Sequence, residues 1–427
     1  MSKLPVKLLI FLDDLGLGGT EKAACRWAFG LQKRKHALLV LSLKDGPRRA
    51  ELETRGIEVR VVNSSPDEIA ATIKMFAPDA IHAHAPGFDH AGDILGSALQ
   101  KLAKIPVVQT NIFGRLENPK EDAWTDFRLF ISWTSCVQAA RRSFEKLDVS
   151  FFQNASVAVY PLDADDGPTF EETREFRRKH RVEPDEILFG RFSRPEPNKW
   201  TDLPIAAFRL AAKKNPRIKL LLREPPPAVT AALQAAPDRD RFIILRATAD
   251  QAELRLTMGS LDAVLHTSSV GESFGYGIAE PMNYGKPVIA NSTPWQDQAQ
   301  IELVRHGECG FIASLPQSMA RAILRLSSDT SLRHEMGQCA KRHIRTLADS
   351  EQSLNRLETA LSCAINRQPN PFAKSDLAKA KETAAYLDAQ QFGHTWRERL
   401  ALQPFHYRVQ FHQWRKMKRL ALRSGVK

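Results

Sequence analysis

The sequence GESFGYGIAEPMNYGKPVIA at residues 271–290 indicates a turn, a helix and a short β-strand in direct succession. An apolar run at residues 261–265 precedes it and predicts a buried strand. We expect the helix from about Tyr276 to Tyr284, because Gly285 and Pro287 are residues that end helices. A second strand is predicted at residues 287–290. A strand–helix–strand unit of this kind binds ligands where its first strand ends.

The turn has the composition of a phosphate-binding site. Gly275 and Gly277 carry no side chain, so their backbone can approach a ligand closely, and their N–H groups lie at the start of the helix. Two carboxylates, Glu272 and Glu280, bracket the turn. We therefore expect a phosphate or diphosphate here. The alternative is an ordinary strand–helix–strand unit with solvated glutamates.

Residues 271–290 resemble the signature of the large family of retaining glycosyltransferases with the GT-B fold. Glu272 and Glu280 match the paired glutamates of that signature, which are separated by seven residues. The resemblance implies an α/β protein in which two Rossmann-like domains with parallel sheets face each other across a cleft. It also implies that a nucleoside diphosphate sugar binds mainly to the second domain and an acceptor mainly to the first.

The chain of 427 residues is long enough for two domains. We expect a first domain at residues 1–162, a second at 163–366 and a basic helical tail at 367–427. The five cysteines are scattered and form no CxxC pair, which predicts free thiols rather than disulfides or a zinc site. No apolar run is long enough to span a membrane, and the run at residues 8–12 ends in two aspartates. We therefore expect a cytoplasmic protein.

The first domain begins with a predicted strand at residues 6–12 and a glycine-rich loop. Thr20 is expected to cap a helix that continues to about Lys35. The loop lacks the G-x-G-x-x-G spacing of dinucleotide-binding proteins, so an NAD site is not favoured. By the resemblance, Gly18 and Gly19 lie beside the donor diphosphate and the acceptor.

Polar residues at two further strand ends belong to the expected acceptor and sugar neighbourhood. His82 and His84 alternate on a predicted strand, and local hydrogen bonding is preferred over a metal site because no third ligand is evident. Asn111 follows the next strand, where many family members carry a histidine. An asparagine can hydrogen-bond to a hydroxyl but cannot act as a base. The resemblance places His84 and Asn111 near the transferred sugar.

Cationic residues follow the predicted strand that begins at Ile187. Two phosphates carry about two negative charges, and more charge develops on the leaving oxygen as the sugar bond breaks. The resemblance implies that Lys199 and one arginine bind the diphosphate. Arg191 lies eight residues before Lys199 and is favoured by its strand position, while Arg194 lies five residues before it. A solvated basic loop is the alternative.

The resemblance implies a role for each residue of the site. Glu272, Arg191 and Lys199 are expected to act in catalysis, with Glu272 binding the sugar hydroxyls, and Glu280 is expected to bind the ribose. The other expected donor-binding residues are Arg194, Ser273, Phe274, Gly275, Tyr276, Gly277, Gly18 and Gly19.

The implied reaction transfers a hexose to an acceptor hydroxyl with retention of anomeric configuration, without a cofactor or a required metal. The expected acceptor is an envelope polysaccharide, a lipopolysaccharide or a lipid-linked sugar. A nucleotide-sugar epimerase and a non-catalytic nucleotide-sugar-binding protein are the alternatives.

The net charge of +12 is concentrated near the end of the sequence, where residues 397–427 contain nine Lys and Arg and one acidic residue. Aromatic residues such as Phe411 and Trp414 alternate with these cations. The segment can therefore lie on the anionic inner face of a membrane or pack back onto the protein. Nucleic acid binding is not favoured, because no recognition module is evident.

Overall fold

The structure is a computed structural model that describes residues 5–85, 90–116, 118–143, 145–196 and 198–403. Its chain forms two compact units. The first unit comprises the described residues between 5 and 163 together with Leu347–Ala384. The second unit comprises the described residues of Ala164–Thr346 together with residues 385–403.

The first unit contains a seven-stranded parallel sheet. Its strands are β1 (Lys7–Asp14), β2 (Ala37–Lys44), β3 (Glu58–Val61), β4 (Ala80–Ala85), β5 (Val107–Asn111), β6 (Phe127–Phe130) and β7 (Ala155–Val157). Their order in the sheet is β3-β2-β1-β4-β5-β6-β7. The order therefore reverses between β1 and β4, and the carboxyl ends of these two neighbours form the expected ligand position in a sheet of this type.

The second unit contains a six-stranded parallel sheet. Its strands are β8 (Ile187–Phe192), β9 (Ile218–Arg223), β10 (Phe242–Leu245), β11 (Ala263–His266), β12 (Val288–Ala290) and β13 (Gly310–Ile312). Their order is β10-β9-β8-β11-β12-β13, so the reversal lies between β8 and β11.

Helices connect the strands of both sheets or follow the last strand. In chain order they are α1 (Gly19–Lys33), α2 (Arg48–Thr54), α3 (Pro66–Phe76), α4 (His90–Leu99), α5 (Pro119–Asp122), α6 (Trp133–Ser143), α7 (Phe170–Lys179), α8 (Leu203–Ala212), α9 (Pro227–Gln234), α10 (Gln251–Gly259), α11 (Tyr276–Asn283), α12 (Ala299–Val304), α13 (Pro316–Ser328), α14 (Thr330–Leu347), α15 (Ser350–Asn366) and α16 (Ala373–Gln390). No described helix is long and apolar enough to cross a membrane.

The central strands are buried along their length, which is why their sequences are continuously apolar rather than alternating. Residues 8–12 of β1 and residues 263–265 of β11 are at most 1% exposed. Parallel strands covered by helices on both faces need apolar residues on both faces. This confirms the α/β fold class and the strand predictions that rested on such runs.

The start of α1 differs from the prediction that Thr20 caps it. The cap is Gly18, whose backbone is extended and whose carbonyl oxygen accepts from the Lys22 amide at 3.1 Å. Thr20 therefore lies within the first helical turn, and its prediction as the cap was wrong. The predicted helix ending at Gly285 agrees with α11, because Gly285 has a φ of +72°, a left-handed conformation that ends a helix.

Residues 347–384 belong to the first unit, whereas the sequence analysis divided them between the second domain and the tail. Helix α15 packs against β4, β5, β6 and β7. The indole N–H of Trp27 donates to the Ser353 hydroxyl at 3.0 Å, and that hydroxyl donates to the carbonyl oxygen of Val159. The aromatic tail residues Phe411 and Trp414 lie outside the described residues.

A buried carboxylate links this returning segment to the sheet of the first unit. Asp376 is fully buried and accepts hydrogen bonds from Ser156 at 2.7 Å, from Asn370 at 3.0 Å and from Arg356 at 2.9 Å. Removing one member of a buried ion pair leaves its partner without a counter-charge.

We expect Asp376→Ala to lower the free energy of unfolding of the first unit by about 3 kcal/mol. Glu382→Ala, on the same helix but in an exposed pair with Lys379, is the control and should change it by about 0.5 kcal/mol or less. Urea unfolding followed by circular dichroism measures both. Equal effects of the two variants would contradict the structural role of Asp376.

Candidate functional site

The predicted donor residues of the second unit gather at the reversal of its strand order. Arg191 lies near the carboxyl end of β8, and His266 is the last residue of β11, which pairs directly with β8. The loop after β11 carries Glu272 and leads into α11. The fold thus brings side chains that are about 80 residues apart in sequence to the position where such sheets bind ligands.

Two glycines shape the loop around Glu272. Gly271 has a φ of +67°, and a Cβ on it would lie 1.7 Å from the carbonyl oxygen of Asp297, so no larger residue fits. Gly275 has a φ of +101° and forms the N-terminal cap of α11. The Glu272 backbone is held on both sides, because its N–H donates to Gln300 at 3.0 Å and its carbonyl oxygen accepts from the Ala299 amide at 2.7 Å.

The Glu272 carboxylate is the centre of the site. Its Oε1 lies 3.0 Å from Lys199 Nζ and 3.0 Å from His266 Nε2. Burial raises the pKa of Glu272, but the neighbouring Lys199 and His266 outweigh this effect and lower the pKa to about 2. The carboxylate is therefore ionised at neutral pH. Among the described residues, its Oε2 has no hydrogen-bond partner and is available to a ligand hydroxyl.

Lys199 retains capacity for a ligand. Its ammonium group has three N–H donors. Two of them reach Glu272 Oε1 and the carbonyl oxygen of Gly271, each at 3.0 Å. No described residue takes the third donor, which remains for an anion.

Arg191 is a fully buried cation behind this loop. Its Nη2 donates to the carbonyl oxygens of Lys199 and of Thr267, and its guanidinium lies 4.4 Å from the ring centre of Trp200. Burial lowers the pKa of Arg191 to about 9, while Glu272 acts in the opposite direction, so the group is charged at pH 7. Its Nε and Nη1 have no partner among the described residues. Such groups are costly to bury unless an anion binds nearby.

Arg194 is placed differently from Arg191. Its side chain is 63% exposed and lies 3.3 Å from Glu196. The structure therefore brings Arg191 and Lys199 together with Glu272 and leaves Arg194 at the surface.

The remaining predicted donor residues of the second unit lie on or beside α11. Tyr276, Gly277 and Glu280 belong to this helix, and Ser273, Phe274 and Gly275 precede it. The rings of Phe274 and Tyr276 meet edge to face at 5.0 Å and are largely buried. Glu280 is 9% exposed.

His266 is a site residue that the sequence analysis missed. It is almost fully buried, and burial lowers its pKa, so the ring is neutral at pH 7. Since Glu272 is ionised, the facing Nε2 must carry the proton and donate it. The other nitrogen, Nδ1, has no partner among the described residues and faces Gly277, whose added Cβ would lie 3.7 Å away. The sequence feature that could have identified His266 is its position as a polar residue at the end of an apolar strand, four residues beyond Asp262.

The predicted residues of the first unit lie at the carboxyl ends of its strands. His84 is near the end of β4 and Gly18 and Gly19 begin α1 after β1. Asn111 ends β5, and its amide binds both backbone groups of Arg115, as donor at 2.6 Å and as acceptor at 3.0 Å. Asn111 therefore fixes the shape of its own loop.

The two histidines of β4 are buried and differ in their partners. His82 Nε2 lies 2.8 Å from the Thr110 hydroxyl, as expected from local hydrogen bonding. Neither ring nitrogen of His84 has a partner among the described residues. Burial lowers the pKa of His84 well below its usual value, so the ring is neutral. Within the described ranges, no group of three or more His, Cys, Asp and Glu is placed to hold a metal ion.

The depressed pKa of Glu272 predicts a pH-dependent contribution to stability. An unfolded glutamate has a pKa near 4.5, so the contribution is complete above that pH and is lost as the pH falls towards 2. Wild type should be more stable than Glu272→Gln by about 3 kcal/mol at pH 6, and the difference should narrow below about pH 4.5. Melting temperatures at pH 6, 5, 4 and 3 measure this.

Glu196→Gln is the matched control, because Glu196 pairs with exposed Arg194. The difference in melting temperature between Glu196→Gln and wild type should stay small at every pH. A stability difference between wild type and Glu272→Gln that does not change with pH would contradict the stabilisation of ionised Glu272 by Lys199 and His266.

Residues 172–343, about two fifths of the chain, match the family model described as "Glycosyl transferases group 1". The match includes every predicted site residue of the second unit. No curated protein sequence matches the chain.

Solved glycosyltransferases resemble the chain over most of its length. HepE of Anabaena, solved with UDP-glucose, has a TM-score of 0.70 and 21% identity over 84% of this chain and 100% of its own. A glycosyltransferase from Rickettsia africae has a TM-score of 0.70 and 16% identity over 84% of this chain and 99% of its own. WaaG, a glycosyltransferase involved in lipopolysaccharide biosynthesis, has a TM-score of 0.60 and 13% identity over 82% of this chain and 98% of its own. The chain therefore has the α/β GT-B fold, and its residues 172–343 carry the sequence pattern of the group 1 glycosyltransferases.

Proposed function

We propose that this protein is a retaining glycosyltransferase that moves a hexose from a UDP-sugar to an acceptor hydroxyl. The observation that carries the proposal is the cluster of Lys199, Glu272 and the start of α11 at the reversal of the second sheet. The match of residues 172–343 to the glycosyltransferase model supports it. We propose UDP as the nucleotide of the donor because HepE, a protein of similar structure, was solved with UDP-glucose.

In this proposal Lys199 and Arg191 stabilise the leaving diphosphate. Lys199 offers its third N–H directly, and Arg191 adds a desolvated positive charge whose Nε and Nη1 no described residue binds. Cations fixed in place before the reaction stabilise the charge that develops on the leaving oxygen without the cost of reorganising solvent. The backbone N–H groups at the start of α11 add to this field.

The two glutamates bind hydroxyl groups. Glu272 Oε2 accepts from hydroxyls of the transferred sugar, while its Oε1 stays bound to Lys199 and His266. Glu280, the fifth residue of α11, accepts from the ribose hydroxyls. An ionised carboxylate is a strong acceptor for such hydrogen bonds.

Retention follows if the acceptor attacks from the face that the diphosphate leaves. The bond between the anomeric carbon and the diphosphate oxygen breaks, and a bond from the acceptor oxygen to that carbon forms on the same face. The acceptor proton passes to the departing diphosphate oxygen. This route uses no protein nucleophile and no metal, so we expect turnover to persist in the presence of EDTA.

The acceptor is proposed to bind on the first unit, near Gly18, Gly19 and His84. Neither ring nitrogen of the neutral His84 imidazole has a partner among the described residues. One nitrogen is a donor and the other an acceptor, which suits hydroxyl groups. A saccharide or lipid-linked acceptor of envelope polysaccharide or lipopolysaccharide synthesis fits this role, and WaaG is a similar protein from such a pathway.

UDP should raise the melting temperature of the wild type, because a ligand at 100 times its Kd adds about 2.7 kcal/mol of stability. Lys199→Met should abolish most of this shift and lower UDP-sugar turnover about 100-fold or more, as for a lost oxyanion donor. Glu280→Ala should weaken the shift by loss of the ribose contact. Thermal denaturation with UDP, UDP-glucose and other nucleoside diphosphates, followed by turnover assays, measures these effects.

Arg194→Gln is the matched control, since Arg194 is exposed and paired with Glu196. Arg194→Gln should keep both the UDP-induced rise in melting temperature and the turnover of the UDP-sugar. No shift with any nucleotide would refute the donor site. Conversion of the free nucleotide-sugar to an epimer would show an epimerase, and binding without turnover would show a non-catalytic binding protein.

His266 is predicted to position Glu272 for the sugar. His266→Leu removes the donated hydrogen bond and should raise the KM for the UDP-sugar and lower kcat, together about tenfold in kcat/KM. His266→Gln can still donate to Glu272 and should stay within about threefold of wild type. In the Glu272→Gln background, His266→Leu should cause little further loss. Equal loss in His266→Leu and His266→Gln, or full additivity, would show that His266 acts independently of Glu272.

A further inference from the structure

The helix at residues 396–403 in the second unit has two opposite faces. Glu398 and Leu402, four residues apart, are 1% and 6% exposed. Trp396 and Leu400, also four residues apart, are 67% and 66% exposed. Since residues four apart share a face of a helix, one side is packed against the protein and the other presents a large aromatic and an aliphatic side chain outward.

The buried face is fixed by Glu398. Its Oε1 accepts from the Ser314 amide at 2.7 Å and from the Ser318 hydroxyl at 2.6 Å. Its Oε2 accepts from the amides of His394 at 3.1 Å and Thr395 at 3.2 Å. These bonds satisfy a carboxylate that would otherwise be costly to bury. They also set the rotation of the helix, so Trp396 and Leu400 cannot turn inward while Glu398 stays bound.

Cations flank the outward face. Arg397 and Arg399 are exposed and lie on either side of the line from Trp396 to Leu400. The Arg397 guanidinium lies 5.2 Å from the Trp396 ring centre. Residues 397–427 as a whole contain nine Lys and Arg and one acidic residue, and that acidic residue is the buried Glu398.

We propose that this face docks on an anionic phospholipid surface, with Trp396 and Leu400 entering the interface and Arg397 and Arg399 contacting the lipid phosphates. Tryptophan, leucine and flanking arginines are the composition that binds such a surface. A stable protein partner usually covers about 800 Å² on each side, which two apolar side chains do not supply. The inference is independent of the proposed sugar transfer.

Co-sedimentation of the full chain with phosphatidylcholine vesicles, with and without about one third phosphatidylglycerol, tests the proposal. We expect binding to the anionic vesicles only, weakened by salt. Trp396→Ser with Leu400→Ser should weaken it about tenfold or more. Arg397→Gln with Arg399→Gln should weaken it about 25-fold, since each surface charge contributes about fivefold.

Phe170→Ser is the control, because Phe170 on α7 is 76% exposed in the same unit and should not contribute. The melting temperature of each variant should match wild type, because the substituted side chains are exposed. The UDP-induced rise in melting temperature should also match, because none of these residues lies in the donor site. Absence of wild-type binding, or unchanged binding after Trp396→Ser with Leu400→Ser, would overturn the proposal. Binding to nucleic acid but not to vesicles would also overturn it.

Discussion

The site of the second unit is built around one carboxylate oxygen that is shared by a cation and a histidine. Glu272 Oε1 binds Lys199 Nζ and His266 Nε2, each at 3.0 Å, in a setting from which water is largely excluded. A lone buried carboxylate would be protonated or destabilising, so its charge is kept only because these partners are present. Within the part of the chain that the structure describes, the same contacts leave Glu272 Oε2 and one Lys199 N–H without a partner. Stability and ligand capacity thus arise from one arrangement.

The backbone makes this arrangement possible. Strands β8 and β11 are sequence-distant neighbours at the reversal of the sheet, so the residues after them converge on one edge. Gly271 lets the loop pass close to the carbonyl oxygen of Asp297, and Gly275 starts α11 from a left-handed conformation. Buried Arg191 binds the backbone of Lys199 and Thr267 and so ties the two strand ends together. The catalytic groups of the proposal are held by packed strands and buried hydrogen bonds.

Much of the fold and of the candidate site could be predicted from the sequence. Buried parallel strands appear in the sequence as apolar runs, and glycines indicate where the turns lie. The apolar run at residues 261–265 predicted β11, the string at residues 271–290 predicted α11 and β12, and the GT-B fold followed from the resemblance of that string to known glycosyltransferases. Spacing alone left Arg191 and Arg194 as competing candidates. Burial separates them, and burial is a property of tertiary packing that spacing does not encode.

Three other features were not predicted from the sequence, because they also depend on tertiary contacts or on backbone conformation. His266 looked like an ordinary strand residue, because its partner Glu272 is six residues away across a turn whose path depends on Gly271. The cap of α1 was placed at Thr20 because side-chain preference favoured it, while Gly18 takes the position through its backbone alone. The return of residues 347–384 to the first unit depends on long-range contacts such as Trp27 with Ser353. Helical periodicity does not reveal which sheet a helix covers.

A crystal structure of the protein with bound UDP would show whether Lys199, Glu272 and the start of α11 form the donor site. We expect the β-phosphate at about 3 Å from Lys199 Nζ and from a backbone N–H at the start of α11, with Glu280 bound to the ribose. We also expect Glu272 to keep its contact with His266. A diphosphate bound away from Lys199 and α11 would contradict the proposed donor site, as would a Glu272 side chain that leaves His266 to make room for it.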